Sequence, residues 1–281
     1  MPIREVVVRS LGEFVDQITP REPDPVTGRR RETGVFHGAA DASWPLLTSL
    51  ARLGGVNPPH TKVDLEAHIL RNFIRYSRPY LKSPPANDWE LLVLAQHHGV
   101  PTRLLDWSYS PLVAAHFATR RPRAGVACAI WRLDWQTVHR HFGFPELALL
   151  IDDVETLFDR PDAEGGEVHG RRHARFTPWV CFGERRRTGP EDRPFACMIE
   201  PSSLDERIVV QRGTFTLASD TSRSFDDFLS SQGLGATLTK FVVPAERAAL
   251  LRDQLDLVGM DERRLFPDLD GVAAELRRYY S

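Results

Sequence analysis

The residues best equipped for chemistry crowd into Gln96 to Ala118, which reads QHHGVPTRLLDWSYSPLVAAHFA. Two adjacent histidines, an Arg and an Asp three apart, a Trp, two serines and a Tyr precede an apolar run. Pro101 confines Val100 to extended geometry, so Thr102 to Leu105 should leave the preceding helix as a strand or loop. If TRLLD is extended, Arg103 and Leu105 face one way and Leu104 and Asp106 the other. Arg103 suits a phosphate or a carboxylate. Asp106 suits either a cap on the helix beginning at Ser110 or a hydrogen bond from a ribose hydroxyl. A buried structural pair or cap is the competing reading for both. His97 and His98 cannot share one helix face, whereas zinc sites draw on His at i and i+4 or on convergence from elsewhere.

Two further stretches carry similar residue types. Phe36-His37-Gly38 ends a short apolar segment. It would set an imidazole beside a backbone that a flat ligand can approach closely, because glycine has no Cβ. Asp205 to Thr216, DERIVVQRGTFT, puts Glu206 and Arg207 where a strand would begin. There Gln211, Gly213 and Phe215 would share one face. An edge strand with solvated charges is the alternative.

The elements that must hold these residues follow from periodicity and caps. EVVV predicts a first strand, and Leu11, Phe14, Val15 and Ile18 predict a helix capped by Ser10. Thr19 to Thr33 is polar and arginine-rich, a solvated loop. Gly34 to Gly38 predicts a strand, and Trp44 to Leu53 a buried turn running into a short helix. Val63 to Tyr76 and Asp88 to His98 predict amphipathic helices, the second capped by Asn87 or Asp88 and stopped by Gly99. Ser110 to Thr119 predicts a helix with Pro111 in its first turn. Val126 to Leu133, Phe195 to Glu200, Arg207 to Leu217 and Thr237 to Val243 predict strands. Ala245 to Leu257 and Gly271 to Tyr279 predict helices. Residues 136 to 190 give no clear pattern beyond loops around short strands. Helices early and strands later predict an α+β fold: a helix-rich N-terminal half packed on a mostly antiparallel, split β-sheet core.

The chain has 281 residues, 42% apolar and 26% charged, the balance of an ordinary globular protein. A net charge of −2 supplies no global field toward nucleic acid or anionic lipid. Basic residues are nearly all Arg; Lys62, Lys82 and Lys240 are the only lysines. Cys128, Cys181 and Cys197 are odd in number and lack CxxC spacing, which argues against a disulfide framework or a Cys-based zinc site. The N-terminus lacks the apolar core of a signal peptide, and no run approaches a membrane span. The expectation is a cytoplasmic protein without a membrane partner.

These stretches together resemble the FRG domain family. Phe36-His37-Gly38, then Trp44, then Ser49-Leu50-Ala51-Arg52 match its early motifs, with His37 where the family name has Arg. Ala95 to Ala118 is similar to its signature run AQHxGxPTRLLDWTxSPxxAxxFA. Arg207 to Phe215 and the LFPDLDG of Leu265 to Gly271 also fit. The resemblance implies one domain over 1–281, with an N-terminal helix and loop (1–33), a motif-bearing core (34–220) and a C-terminal strand and helices (221–281).

A second likeness is to ADP-ribosyltransferases, which carry an aromatic-His-Gly or aromatic-Arg-Gly strand, a Ser-rich strand and helix, and a Glu-bearing strand in the same order. It implies an ADP-ribosyltransferase-like fold with NAD as substrate. Phe36, Gly38, Arg103, Asp106, Ser108, Tyr109 and Ser110 would bind the nucleotide. Gly38 would take the nicotinamide amide, His37 a ribose hydroxyl, and Tyr109 would stack on the ring. Cleaving the nicotinamide–ribose bond develops positive charge on the sugar, so a nearby carboxylate is the key stabiliser. Arg207 fills the usual Glu position. Glu206 through a bulge, or Gln211, or Asp106 would have to serve instead, or NAD cleavage is absent.

The implied function is an NAD-dependent ADP-ribosyltransferase, a bacterial toxin or defence effector, with a protein or nucleic acid as macromolecular acceptor. The alternative is a non-catalytic nucleotide or nucleic-acid binding module using Arg103, Arg171, Arg172 and Arg185 to Arg187. A metal-dependent hydrolase built on His97, His98, His169 and His173 ranks third.

Overall fold

The structure is a computed structural model and describes residues 2–58, 60–158, 167–168, 171–172, 194–201 and 206–280. In chain order the strands are β1 (Arg4–Val7), β2 (Val35–Ala39), β3 (Leu104–Ser108), β4 (Cys128–Leu133), β5 (Leu149–Leu150), β6 (Glu167–Val168), β7 (Arg171–Arg172), β8 (Ala196–Glu200), β9 (Gly213–Ala218) and β10 (Leu238–Val243). The helices are α1 (Leu11–Ile18), α2 (Ser49–Arg52), α3 (Lys62–Ser77), α4 (Asp88–His97), α5 (Pro111–Thr119) and α6 (Trp135–Phe142). They continue with α7 (Ile151–Phe158), α8 (Glu206–Gln211), α9 (Phe225–Ser231), α10 (Ala245–Leu257), α11 (Glu262–Leu265) and α12 (Leu269–Tyr279).

Eight strands form one sheet in the order β1-β10-β4-β2-β3-β9-β8-β5. The outermost pairings, β1 with β10 and β5 with β8, are parallel, and the five between them are antiparallel. The fold is therefore α+β on a mixed, mostly antiparallel sheet. Helices are not confined to the N-terminal half, since α6 to α12 follow β4.

Strand β4 explains the layering. Its sequence CAIWRL is buried on both sides, so successive residues enter different cores. Cys128 and Ile130 join Phe14 of α1, Val113, Ala114 and Ala118 of α5, and Leu251 of α10. Ala129, Trp131 and Leu133 join the opposite core, with Trp89 and Leu92 of α4, Trp135 and Phe142 of α6, and Phe225 and Phe228 of α9. The sheet thus has helices on both faces.

Caps set the helix starts. Ser10 Oγ accepts from Glu13 N at 3.1 Å, Asn87 Oδ1 from Glu90 N at 2.8 Å, and Thr61 and Asp64 form a reciprocal box. Gly99 takes the left-handed turn after α4, with φ of 77°.

Three expectations are corrected. The segment predicted as one strand from Arg207 to Leu217 is helix α8, a corner at Arg212 with φ of 49°, and then strand β9. Local β-branched content in IVV lost to tertiary packing, because Val210 docks on the α5 core and Gln211 donates to Leu265 O at 2.9 Å. Trp44 is exposed rather than part of a buried turn, and Leu46 and Leu50 fill that place. Helices α6, α7, α9 and α11 were not expected. Among the described residues no helix is long and apolar enough to cross a membrane.

Candidate functional site

Strands β2, β3 and β9 are neighbours, and Phe36, Ser108 and Gly213 lie in one cross-strand row. The stretches that the sequence singled out are therefore brought together. Their side chains divide into scaffold and open site.

The scaffold takes most of the signature. Gly38 turns toward α5, not toward a cleft: a Cβ there would lie 2.1 Å from Ala114 O and 2.6 Å from Ala118 N. The small residues of α5 let its backbone rest on β2 at Gly38. Phe36 is buried in the same core, edge-on to Phe14. Ser108 Oγ donates to Gln211 O at 2.6 Å and accepts from Ser110 N at 2.9 Å. Ser110 caps α5, accepting from Val113 N at 3.4 Å, so Asp106 does not. Arg103 is buried against Glu66 of α3: its backbone N–H donates to Oε1 at 2.8 Å, and its guanidinium pairs with Oε2. That arginine ties β3 to α3 and is not presented to a phosphate.

Tyr109 lies toward β8 and β9. Burial, with the Glu200 carboxylate nearby, pushes its phenol up to about 12. Glu206 is exposed in the first turn of α8, and Gln211 is committed to Leu265. Neither is joined to His37 by a hydrogen bond.

The open site lies where β2 and β3 part. Their one rung among the described residues is Phe36 opposite Ser108. Next to it, His37 Nδ1 contacts the Asp106 carbonyl oxygen at 2.8 Å. A carbonyl only accepts, so Nδ1 carries the proton. Nε2 has no hydrogen-bond partner among the described residues. The His37 ring stands edge-on to Trp107, centroids 5.8 Å apart, and Trp107 Nε1 donates to Thr216 Oγ1 at 2.8 Å.

Asp106 Oδ1 accepts from Gln96 Nε2 at 2.9 Å, and its second oxygen has no partner among the described residues. Gln96 is fixed in turn by the Thr102 hydroxyl, which donates to Oε1. Thr102 is held by Ser49, whose Oγ accepts from Thr102 N at 3.0 Å. Arg52, at the end of α2, donates to Leu47 O at 2.7 Å and lies near enough for its charge to act on both His37 and Asp106.

Asp106 is exposed and His37 half-buried, so water reaches a crowded recess. Burial lowers the His37 pKa, opposed by the Asp106 carbonyl and carboxylate and reinforced by Arg52. Burial raises that of Asp106, opposed by Gln96, His37 and Arg52. With solvent at the carboxylate, the rise is smaller than full burial would give. His37 is therefore neutral at pH 7, a proton acceptor at Nε2 beside a partly free carboxylate.

Gln96 and Arg52 were not singled out from the sequence, although both stand inside its motif runs. His97 and His98 end α4, ring centroids 5.1 Å apart. His169, His173 and Arg185 to Arg187 lie outside the described residues. Among the described residues no cluster of three His, Cys, Asp or Glu could hold a metal ion.

An α+β sheet protein with a His–Asp–Arg recess at a strand parting is the class that fold and site define. Residues 32–126 match the FRG domain model, so the chain carries an FRG domain over the span that supplies His37, Arg52, Gln96 and Asp106. No curated protein and no solved structure matches it.

Proposed function

We propose that the FRG domain binds an NAD-like nucleotide in this recess and cleaves its nicotinamide–ribose bond, as an ADP-ribosyltransferase or NAD glycohydrolase. The observation that carries the reading is the pair of unfilled acceptors: His37 Nε2, poised by the 2.8 Å contact of Nδ1 with the Asp106 carbonyl, and the open oxygen of Asp106.

His37 Nε2 accepts a hydrogen bond from a ribose hydroxyl. The carboxylate of Asp106 takes the stabilising role that Glu206 would fill in a Glu-bearing strand, and offsets the positive charge that develops on the sugar. Arg52 attracts the pyrophosphate. The C1′–N bond breaks with its electron pair, leaving neutral nicotinamide. An oxygen of water or of a macromolecular acceptor bonds to C1′ and gives its proton to solvent.

The test is to incubate the purified protein with NAD and measure free nicotinamide, alongside the shift in melting temperature. Release and a rise in Tm, both lost in Arg52→Ala and reduced in His37→Ala, support the reading. No release with water or any added acceptor, and no NAD-dependent Tm shift, rejects it.

A further inference from the structure

Residues 67–87, AHILRNFIRYSRPYLKSPPAN, hold four permanent cations and no carboxylate in a chain of net charge −2. Arg71, Arg75 and Arg78 follow one another at i, i+4 and i+7, so they line one side of α3 and its last turn. Lys82 continues the run, and all four are exposed. None of the four forms an ion pair with a described residue, whereas Arg103, Arg120, Arg132, Arg140, Arg252 and Arg278 each do.

Two flat rings alternate with these cations along the chain. Tyr76 is 65% exposed and Tyr80 is 86% exposed, levels at which an aromatic ring contributes nothing to the core. The Arg75 guanidinium lies 5.3 Å from the centre of the Tyr76 ring. The buried side of α3, through Glu66 and Leu70, is already used, so this side has no packing duty. A solvated face normally interleaves both signs of charge. Cations without an ion-pair partner among the described residues, alternating with exposed aromatic rings, instead match a phosphate backbone with unstacked bases.

We propose that this α3 surface binds single-stranded nucleic acid, with Arg71, Arg75, Arg78 and Lys82 on phosphates and Tyr76 and Tyr80 stacking on bases. A lipid surface would need apolar side chains beside the cations, and the exposed rings here are phenols. A duplex offers no unstacked base to the tyrosines. The proposal does not depend on turnover of NAD.

The test is fluorescence anisotropy with a labelled single-stranded oligonucleotide of about 15 nucleotides, long enough to span several contacts. Four phosphate contacts predict an affinity that falls about 50-fold between roughly 50 and 200 mM salt. The Tyr76→Ala/Tyr80→Ala double variant should lose about tenfold or more without changing the salt slope. Arg75→Ala/Arg78→Ala should flatten that slope by about 1.4. Both are surface changes, and unaltered melting temperatures would show intact folds. Unchanged binding in both variants overturns the proposal. So does equal or tighter binding to polyglutamate, to a blunt duplex of the same length, or to phosphatidylserine vesicles.

Discussion

At His37 the direction of one hydrogen bond decides what the imidazole can do. Because Nδ1–H donates to the Asp106 carbonyl, Nε2 is left as an acceptor. Burial keeps the ring neutral as the pH falls through its ordinary 6.5, so no loss of activity should centre there. Asp106 must be ionised to stabilise a cationic sugar, and burial raises its pKa above the ordinary 3.8. For the proposed reaction, nicotinamide release should therefore climb with pH along an acid limb whose midpoint lies above 3.8. A limb centred at or below 3.8 would count against Asp106. Arg103 makes the opposite case. Its type and spacing suited an anion, yet Glu66, thirty-seven residues earlier, claims it in a pair that is 1% and 0% exposed. Glu66→Gln should cost about 3 to 5 kcal/mol in denaturant unfolding by leaving a buried guanidinium uncompensated. A loss under about 1 kcal/mol would mean that the pair is solvated.

Among the elements, α5 against β2 explains why the signature run holds Ala114 and Ala118 after its serines. Their backbone occupies the space a side chain at Gly38 would need. Gly38→Ala should destabilise by about 3 kcal/mol or more, since the neighbour is backbone and cannot rotate away. A variant that melts within a degree of the parent would contradict that packing. Strands and helices with caps and regular periods were legible in the chain, including Ser10 with α1, Asn87 with α4 and Pro111 in the first turn of α5, although the cap of α5 is Ser110 and not Asp106. Helix α8 was not, because IVV reads as strand locally, and only its docking with Leu265 and the left-handed Arg212 make it helical. That error displaced Glu206 and Gln211 from the expected site. Asp106 stands on β3, where the sequence left Thr102 to Leu105 open between strand and loop.

Across the whole molecule, the C-terminal helices are fastened to α5 and α10 by charge. Glu262 meets His116 at 2.6 Å, Arg252 at 3.4 Å and Arg120 at 3.4 Å. The Phe266 ring lies under Arg120 at 4.1 Å. No sequence pattern announced this network, because its members are far apart in the chain and meet only after folding. Burial alone would raise the Glu262 pKa, but His116, Arg252 and Arg120 hold it down at about 2, against an ordinary 4.5. A depressed carboxylate stabilises the fold above its unfolded pKa, and the contribution disappears as the pH falls from 4.5 through about 2. Glu262→Gln should therefore cost about 3 kcal/mol at pH 7, and the parent and variant should converge toward pH 2. A deficit independent of pH would point to lost packing instead. His139 should add acid sensitivity at higher pH. Burial lowers its pKa to about 4, so protonation of the unfolded chain below about 6.5 already favours unfolding.

Whether the Asp106 carboxylate carries the proposed reaction is decided by comparing nicotinamide release from NAD by the parent, Asp106→Asn and Glu206→Gln at pH 7. The isosteric amide at 106 retains the shape and the Gln96 contact but removes the charge. The parent should release nicotinamide, Asp106→Asn should lose about a hundredfold or more, and Glu206→Gln should release it like the parent. Full activity in Asp106→Asn, or activity lost in Glu206→Gln alone, would contradict that role for Asp106.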